Sequence, residues 1–181
     1  MAEAPDVSGL SQRARLAIAL HLFHGYCDGR GLHHPEIDRY LAHLWEFVGL
    51  YGDPGAFSEW VGREPDLTHV GLGDPYPPPF AAALAAAGVA EAEFRRALEF
   101  CTEVLYISMY GACNEPRTRE FLAGLAGVAV PLGARWPDLA VFAGSRWADA
   151  GGWGRRPSAE ELARWRPARH AEPGAAPDDR A

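Results

Sequence analysis

Apolar residues recur at intervals of three and four along most of the chain, and glycine and proline divide this pattern into short segments. In one such segment the apolar positions are Ile37, Tyr40, Leu41, Leu44, Val48 and Tyr51. This spacing makes one stripe on an α-helix and differs from the alternation of a half-buried strand. The polar face of the same helix is expected to carry Glu36, Arg39, His43 and Glu46.

Capping residues and helix breakers give the approximate ends of the helices. Ser8 or Ser11 can cap the first, Gly29 and Gly31 follow it, and Ser158 begins a capping box. The first predicted helix ends at about Asp28, the second begins at Pro35, and the third runs from Asp53-Pro54 through Val61. Five more are predicted over residues 80–87, 90–111, about 115–127, Pro137–Trp147 and about 159–166. The pattern therefore predicts an all-α, single-domain fold, an irregular helical bundle of about six to eight helices, several of them short.

Two segments lack the helical pattern. Residues 65–79, PDLTHVGLGDPYPPP, are rich in proline and glycine and are predicted to be a long loop. Residues 167–181, PARHAEPGAAPDDRA, have too little apolar content to form a core and are predicted to be a disordered tail. We therefore expect a helical domain over residues 1–166 and a tail after it.

The charge of the chain narrows the classes of partner. All 17 basic residues are arginine, a bias that indicates a GC-rich bacterial genome, and the net charge is -7. An acidic surface opposes general nucleic-acid binding, which depends on clustered Lys and Arg. The arginines and tryptophans of residues 145–157 are too few to change that expectation. Acidity favours instead a partner protein with a basic surface.

The chain shows no pattern of a membrane protein or of a disulfide-stabilised one. No apolar run approaches about 18 residues, and the first residues lack the pattern of a signal peptide. The three cysteines, Cys27, Cys101 and Cys113, are an odd number without CxxC spacing, which favours buried thiols. We expect a cytoplasmic protein without a membrane partner.

One candidate for chemistry is HLFHGYCDGRGLHHP, residues 21–35. On a helix, His21, His24 and Asp28 share one side, beside the small residues Ala17 and Gly25. Imidazole and carboxylate groups suit a transition metal, and helical bundles place such ligands on inward faces. A metal would need a further ligand from another helix, and no second motif such as HExxH is present. The alternative is that these are ordinary side chains near a helix end.

The second candidate is the outer face of the 90–111 helix, formed by Arg96, Glu99, Glu103, Tyr106 and Tyr110. Tyrosine is enriched in protein interfaces, and carboxylates give electrostatic complementarity to a basic partner. The face is therefore a candidate interaction surface. The alternative is that the helix is central and that both tyrosines are half-buried.

No complete catalytic or nucleotide-binding motif is present. The serines lack a GxSxG context, and the glycines at 71 and 73 lack the third glycine of a dinucleotide fingerprint. These features favour a non-enzymatic bacterial protein-binding module, such as an acidic immunity or antitoxin-like inhibitor, with no cofactor. One alternative is a metal-dependent enzyme or metal sensor that uses His21, His24 and Asp28, with Glu99 or Glu103 as a further ligand. Another is a structural subunit of a larger assembly.

Overall fold

The computed structural model describes residues 5–50 and 54–166, and in these ranges it confirms the all-α fold. The predicted positions of Tyr51, of Asp53 and of the tail lie outside the described residues. The α-helices are α1 (Gln12–Gly29), α2 (Pro35–Gly49), α3 (Pro54–Val61), α4 (Asp66–Gly71), α5 (Pro78–Ala86), α6 (Glu91–Met109), α7 (Glu115–Ala129) and α8 (Ala159–Trp165).

Helix α1 is the centre of the bundle. Ser11 caps it, since the side chain accepts a hydrogen bond from the Ala14 N–H. From Ala14 to Leu20 every residue is fully buried, and α2, α6 and α7 all pack against α1. A helix that is apolar around most of its circumference belongs inside a core, and α1 has that position.

Three of the helices that follow α1 begin at or near the residues where the sequence pattern predicts them to begin. His34 caps α2 through its ring Nδ1, and Asn114 caps α7 through its side-chain oxygen. Ser158 and Glu161 form the capping box of α8. These ends depend on contacts within a few residues, which explains why sequence patterns locate them.

The prediction of a loop over residues 65–79 is correct for residues 72–77 and wrong for Asp66–Gly71, which form α4, and α5 already begins at Pro78. Leu67 and Val70 are buried, and α4 packs on α6. A Cβ at Gly71 would lie 2.2 Å from Thr102 Oγ1, so glycine is what allows this close approach. Burial against α6 thus stabilises a helix that is too short to be recognised from its own sequence.

The prediction of a helix over residues 137–147 is correct only for a short part. A 3₁₀ turn covers Leu139–Phe142, and the chain beyond it pairs with the segment before α1. The Ser11 N–H donates to the Ser145 carbonyl at 2.9 Å, and the Trp147 N–H donates to the Gly9 carbonyl at 2.9 Å. This pairing with a distant segment takes residues 145–147 out of any helix.

A buried charge joins α1 to α7. The Arg15 side chain is fully buried and donates to Glu115 Oε1 at 2.9 Å, to Thr118 Oγ1 at 3.0 Å and to the Ser8 carbonyl at 2.9 Å. Its guanidinium carbon lies 4.4 Å from the centre of the Trp147 ring. Every contact is made within the chain, so the site is structural.

None of the helices in the described ranges combines the length and the apolar character that crossing a bilayer requires.

Candidate protein-binding surface

The five residues of the second sequence candidate are spaced three and four apart along α6 and its C-cap residue, Tyr110, and are here called the α6 face: Arg96, Glu99, Glu103, Tyr106 and Tyr110. Helix α6 buries its other side in the core, through residues such as Phe94, Leu98 and Leu105. Arg96 is exposed, and its guanidinium carbon lies 5.7 Å from the centre of the Phe100 ring. The α6 face is therefore neither wholly solvated nor wrapped on all sides.

The two tyrosines of the α6 face have different environments. Tyr110 is 75% exposed and touches Phe57 edge-on, with 6.4 Å between ring centres. Tyr106 is partly buried and donates a hydrogen bond of 2.5 Å to Glu64 Oε1. Burial and this neighbouring carboxylate raise the pKa of Tyr106. Tyr106 is thus a structural member of the face, whereas Tyr110 is open to a partner.

Glu99 and Glu103 have no ion-pair or hydrogen-bond partner for their carboxylates among the described residues. Burial raises the pKa of Glu103, and the nearby Glu99 adds to that increase while Arg117 opposes it. Two adjacent carboxylates that form no ion pair among the described residues favour the approach of a cation, although the charge of Arg117 acts on Glu103 from a longer distance.

Beside the α6 face lies a pocket of about 450 Å³, here called the charged pocket, between α2 and the start of α4. Its charged lining consists of Glu36, Arg39, Glu46, Arg63, Glu64 and Asp66. Arg63 pairs with Glu46 at 2.7 Å and Arg39 with Glu36 at 2.5 Å. Glu64 both lines the charged pocket and accepts the hydrogen bond from Tyr106, so it connects the charged pocket to the α6 face.

His43 also lines the charged pocket, and its position corrects the prediction that it lies on a solvated charged face. It is 6% exposed, and its ring stacks on Trp60 with 4.2 Å between centres and an interplanar angle of 10°. The Trp60 indole N–H donates to the His43 carbonyl at 2.9 Å. Burial lowers the pKa of His43 to about 4, so its imidazole is neutral near pH 7.

A signal for His43 is present in the sequence. His43 follows Tyr40 by three residues and precedes Phe47 by four, and both of those side chains are buried. The same spacing rule that defines the apolar stripe of α2 therefore includes His43. Because histidine is counted as a polar residue, the pattern of apolar positions does not show that His43 belongs to the buried side of α2.

The rings next to the charged pocket continue to the α6 face. Phe57 stacks on Trp60 at 6.2 Å between ring centres, and Tyr110 touches the other end of Phe57. The order of contact is His43, Trp60, Phe57 and Tyr110. A buried ring beside the charged pocket is thus connected, by packing alone, to the exposed ring of the α6 face.

The three predicted metal ligands on α1 have other contacts. The His21 ring Nε2 lies 2.5 Å from the Trp165 carbonyl oxygen, and the ring packs edge-on against Trp45 and Phe142. Burial lowers the pKa of His21. His24 Nδ1 lies 3.4 Å from Asp28 Oδ2, an i, i+4 pair that is 41% exposed on both sides.

The glycines beside these side chains are covered by a later part of the chain. A Cβ at Gly25 would lie 2.8 Å from the Ala134 Cβ, and one at Gly29 would lie 2.2 Å from the Leu132 carbonyl oxygen. Leu132 and Ala134 therefore pack on α1 at the two glycines, while His24 and Asp28 remain 41% exposed. In the described part of the chain, no three His, Cys, Asp or Glu side chains are arranged to hold a metal ion.

Comparison with known proteins identifies no relative: no protein-family model matches the chain, and no curated protein or solved structure matches it.

Proposed function

We propose that this chain is a non-enzymatic protein-binding module that inhibits a partner with a basic surface, in the manner of an immunity or antitoxin-like protein. The observation that carries the proposal is the composition of the α6 face. There the unpaired carboxylates Glu99 and Glu103 lie on the same strip as Tyr110, which is 75% exposed.

This combination suits a partner better than it suits solvent alone. An exposed tyrosine supplies a rigid apolar surface and a hydroxyl group, which makes tyrosine frequent among the residues that dominate interface energies. Unpaired carboxylates attract a basic partner and accelerate its association. The Tyr106–Glu64 hydrogen bond, 2.5 Å long, holds the middle of the α6 face in place, and a held surface loses less conformational entropy on binding.

The proposal includes a bacterial source and a cytoplasmic location. The arginine-only set of basic residues supports the first. The second is supported by three free cysteines, since reduced thiols are usual in the cytosol. No contact among the described residues favours the metal-dependent alternative over this one.

The test is co-expression of the full chain with the products of the genes that flank its own. We expect one of those products to arrest growth when expressed alone and to be neutralised by this chain. The double variant Glu99→Arg and Glu103→Arg is expected to abolish neutralisation, because it replaces attraction of a basic surface with repulsion. Tyr110→Ala should weaken binding of the purified pair by about 10-fold or more, as loss of a central aromatic contact does.

Glu160→Arg is the matched control, since Glu160 lies on α8 and its side chain is 84% exposed. It also reverses an exposed acidic charge, and it should leave neutralisation intact. If Glu160→Arg and the double variant have equal effects, net charge and not the α6 face determines binding, and the proposal is wrong. It is equally wrong if no flanking product binds the chain.

A further inference from the structure

We propose that the charged pocket receives one basic side chain, an arginine or a lysine, from the partner protein. This inference rests on the proposed function and adds a second contact to it. The α6 face would hold the body of the partner's basic surface, and the charged pocket would hold a single side chain that extends from it.

The charges that line the pocket favour a basic occupant. The charged pocket has four carboxylates, from Glu36, Glu46, Glu64 and Asp66, and two guanidiniums. Each guanidinium already pairs with one carboxylate. The Asp66 carboxylate is exposed and has no ion-pair or hydrogen-bond partner among the described residues. Because His43 carries no charge near pH 7, the two guanidiniums do not balance the four carboxylates, and the charged pocket favours an incoming cation. Outside the lining, His69 Nε2 lies 3.8 Å from Glu64 Oε2.

The unsatisfied ring nitrogen of His43 favours an occupant that donates a hydrogen bond. Its Nε2 is buried and has no hydrogen-bond partner in the described part of the chain. A buried polar atom without a partner is costly, and a neutral imidazole has one nitrogen that can accept a hydrogen bond. An ammonium or guanidinium N–H is a donor that this nitrogen lacks.

Access to His43 requires a side chain to move, and the residues near it make that movement easy. Glu46 and Arg63 are the charged groups whose fields act on His43, and both line the charged pocket. Their ion pair is exposed, with 57% of the Arg63 side chain and 43% of the Glu46 side chain open to solvent. Exposed pairs of this kind contribute little to stability, so an incoming guanidinium can replace Arg63 on Glu46.

The shape and size of the charged pocket suit a single long side chain. Trp60 lies flat against one side of the His43 ring and is itself held by its hydrogen bond to the His43 carbonyl. The His43 ring is therefore held in place before a ligand arrives, and a ring already held in place lowers the entropic cost of binding. A volume of about 450 Å³ lies near the lower end of small-ligand pockets. It accommodates one long side chain and excludes a whole helix.

The test uses a small probe, so that it does not depend on the partner. N-acetylarginine methyl ester is titrated into the full chain and the Trp60 indole N–H and the His43 ring signals are followed by NMR. N-acetylcitrulline methyl ester, which has a similar shape and no charge, is the control probe. We expect saturable shifts with a Kd in the millimolar range for the arginine probe, and at least about 10-fold weaker binding of the citrulline probe.

Variants of the chain locate the binding. Asp66→Asn combined with Glu46→Gln should weaken binding of the arginine probe by about 10-fold or more, whereas Glu160→Gln should not change it. The inference is overturned if the two probes bind equally well, if the arginine probe causes no saturable shift, or if the charged-pocket variant binds it as the wild type does. Circular dichroism of each variant shows whether the helices are intact.

Failure of this inference is distinguishable from failure of the proposed function. If the arginine probe does not bind but the α6-face double variant still abolishes neutralisation, only the charged-pocket inference is lost. If the probe binds as expected but no flanking gene product is neutralised, the charged pocket is a cation site and the proposed inhibitor is wrong.

Discussion

Two regions of the molecule use charged residues in opposite ways. Around Arg15, between α1 and α7, a fully buried guanidinium makes hydrogen bonds to a carboxylate, a hydroxyl and backbone carbonyls, and it packs on a tryptophan ring. On the α6 face and in the charged pocket, Glu99, Glu103 and Asp66 lack partners among the described residues, and one nitrogen of buried His43 is unsatisfied.

The difference separates a structural site from a candidate binding site. A buried charge whose donors are satisfied inside the chain has no capacity left for a ligand, and removing it disturbs the fold. Carboxylates that the chain leaves unpaired contribute little to folding, so their role is better sought in binding.

Arg15→Ala is expected to lower the free energy of unfolding by about 3–5 kcal/mol, because it takes the donor away from the backbone carbonyls of Val7 and Ser8 and leaves Glu115 with only the longer ion pair to Arg119, at 3.4 Å. Urea unfolding followed by circular dichroism measures the change. The control is Arg146→Ala, at a side chain that is 69% exposed, which should have an effect within about 0.5 kcal/mol. A loss below about 1 kcal/mol for Arg15→Ala would show that the contacts of Arg15 do not stabilise the fold, and the contrast between the two regions would then be wrong.

Acidification is expected to destabilise the chain through His43. Its pKa is about 4 in the folded state and 6.5 as the ordinary value, so the unfolded state binds the proton more readily. The contribution is fully present above pH 6.5 and is lost as pH falls from 6.5 through 4. It amounts to about 3–4 kcal/mol, from roughly 1.4 kcal/mol per pKa unit.

The measurement for His43 is the free energy of unfolding at several pH values for the wild type and for His43→Phe. Phenylalanine keeps a ring on Trp60 and cannot titrate. The difference between the two proteins should change steadily between pH 6.5 and 4, whereas the carboxylates common to both cancel. If the free energies of unfolding of the two proteins change with pH in parallel, the pKa of His43 is the same in the folded and the unfolded states, and the prediction is wrong.

Tyr106→Phe is expected to lower the free energy of unfolding by about 1–2 kcal/mol, since it removes the hydrogen bond to Glu64, whose side chain is 10% exposed. Tyr110→Phe is the control and should have an effect within about 0.5 kcal/mol, because Tyr110 is 75% exposed. Chemical denaturation of the two variants compares them directly. Equal losses would mean that the two tyrosines do not differ as the structure indicates.

Glu99→Gln is expected to have the smallest effect on folding, within about 0.5 kcal/mol, because no partner inside the described chain loses a contact. Glu103→Gln should be neutral or slightly stabilising, since burial already disfavours its charged form. Thermal unfolding of both variants near pH 7 tests this. A loss above about 1 kcal/mol would show that these carboxylates serve the fold and would weaken the proposed function.

The sequence predicts the helices whose cues are local. Ser11, His34 and Asn114 cap helices through bonds to residues two or three positions further along, so their effect is visible in a short stretch of sequence. The helix that carries the α6 face is also predicted, because residues three and four apart share a side of a helix. The α6 face as an interaction surface stays a prediction. The sequence alone left open whether its two tyrosines are half-buried, because their environments depend on α3 and on Glu64.

Elements that depend on distant contacts are the ones that sequence patterns misassign. Helix α4 forms against α6, and residues 145–147 pair with residues 9–11. The metal site at His21, His24 and Asp28 stays a prediction: Trp165 contacts His21, whereas His24 and Asp28 are 41% exposed. Local spacing places side chains on a face and says nothing about what covers that face.

The all-α class, most helix starts and the acidic character follow from composition and from neighbours within one or two turns, and for that reason they can be predicted from the sequence. Which charges are satisfied depends instead on how the helices pack. Packing buries Arg15 among partners, brings His43 against Trp60 beside four carboxylates, and leaves Glu99 and Glu103 without an ion pair among the described residues. Solvation and ion pairing depend on groups far apart in the chain, which become neighbours only in the folded protein.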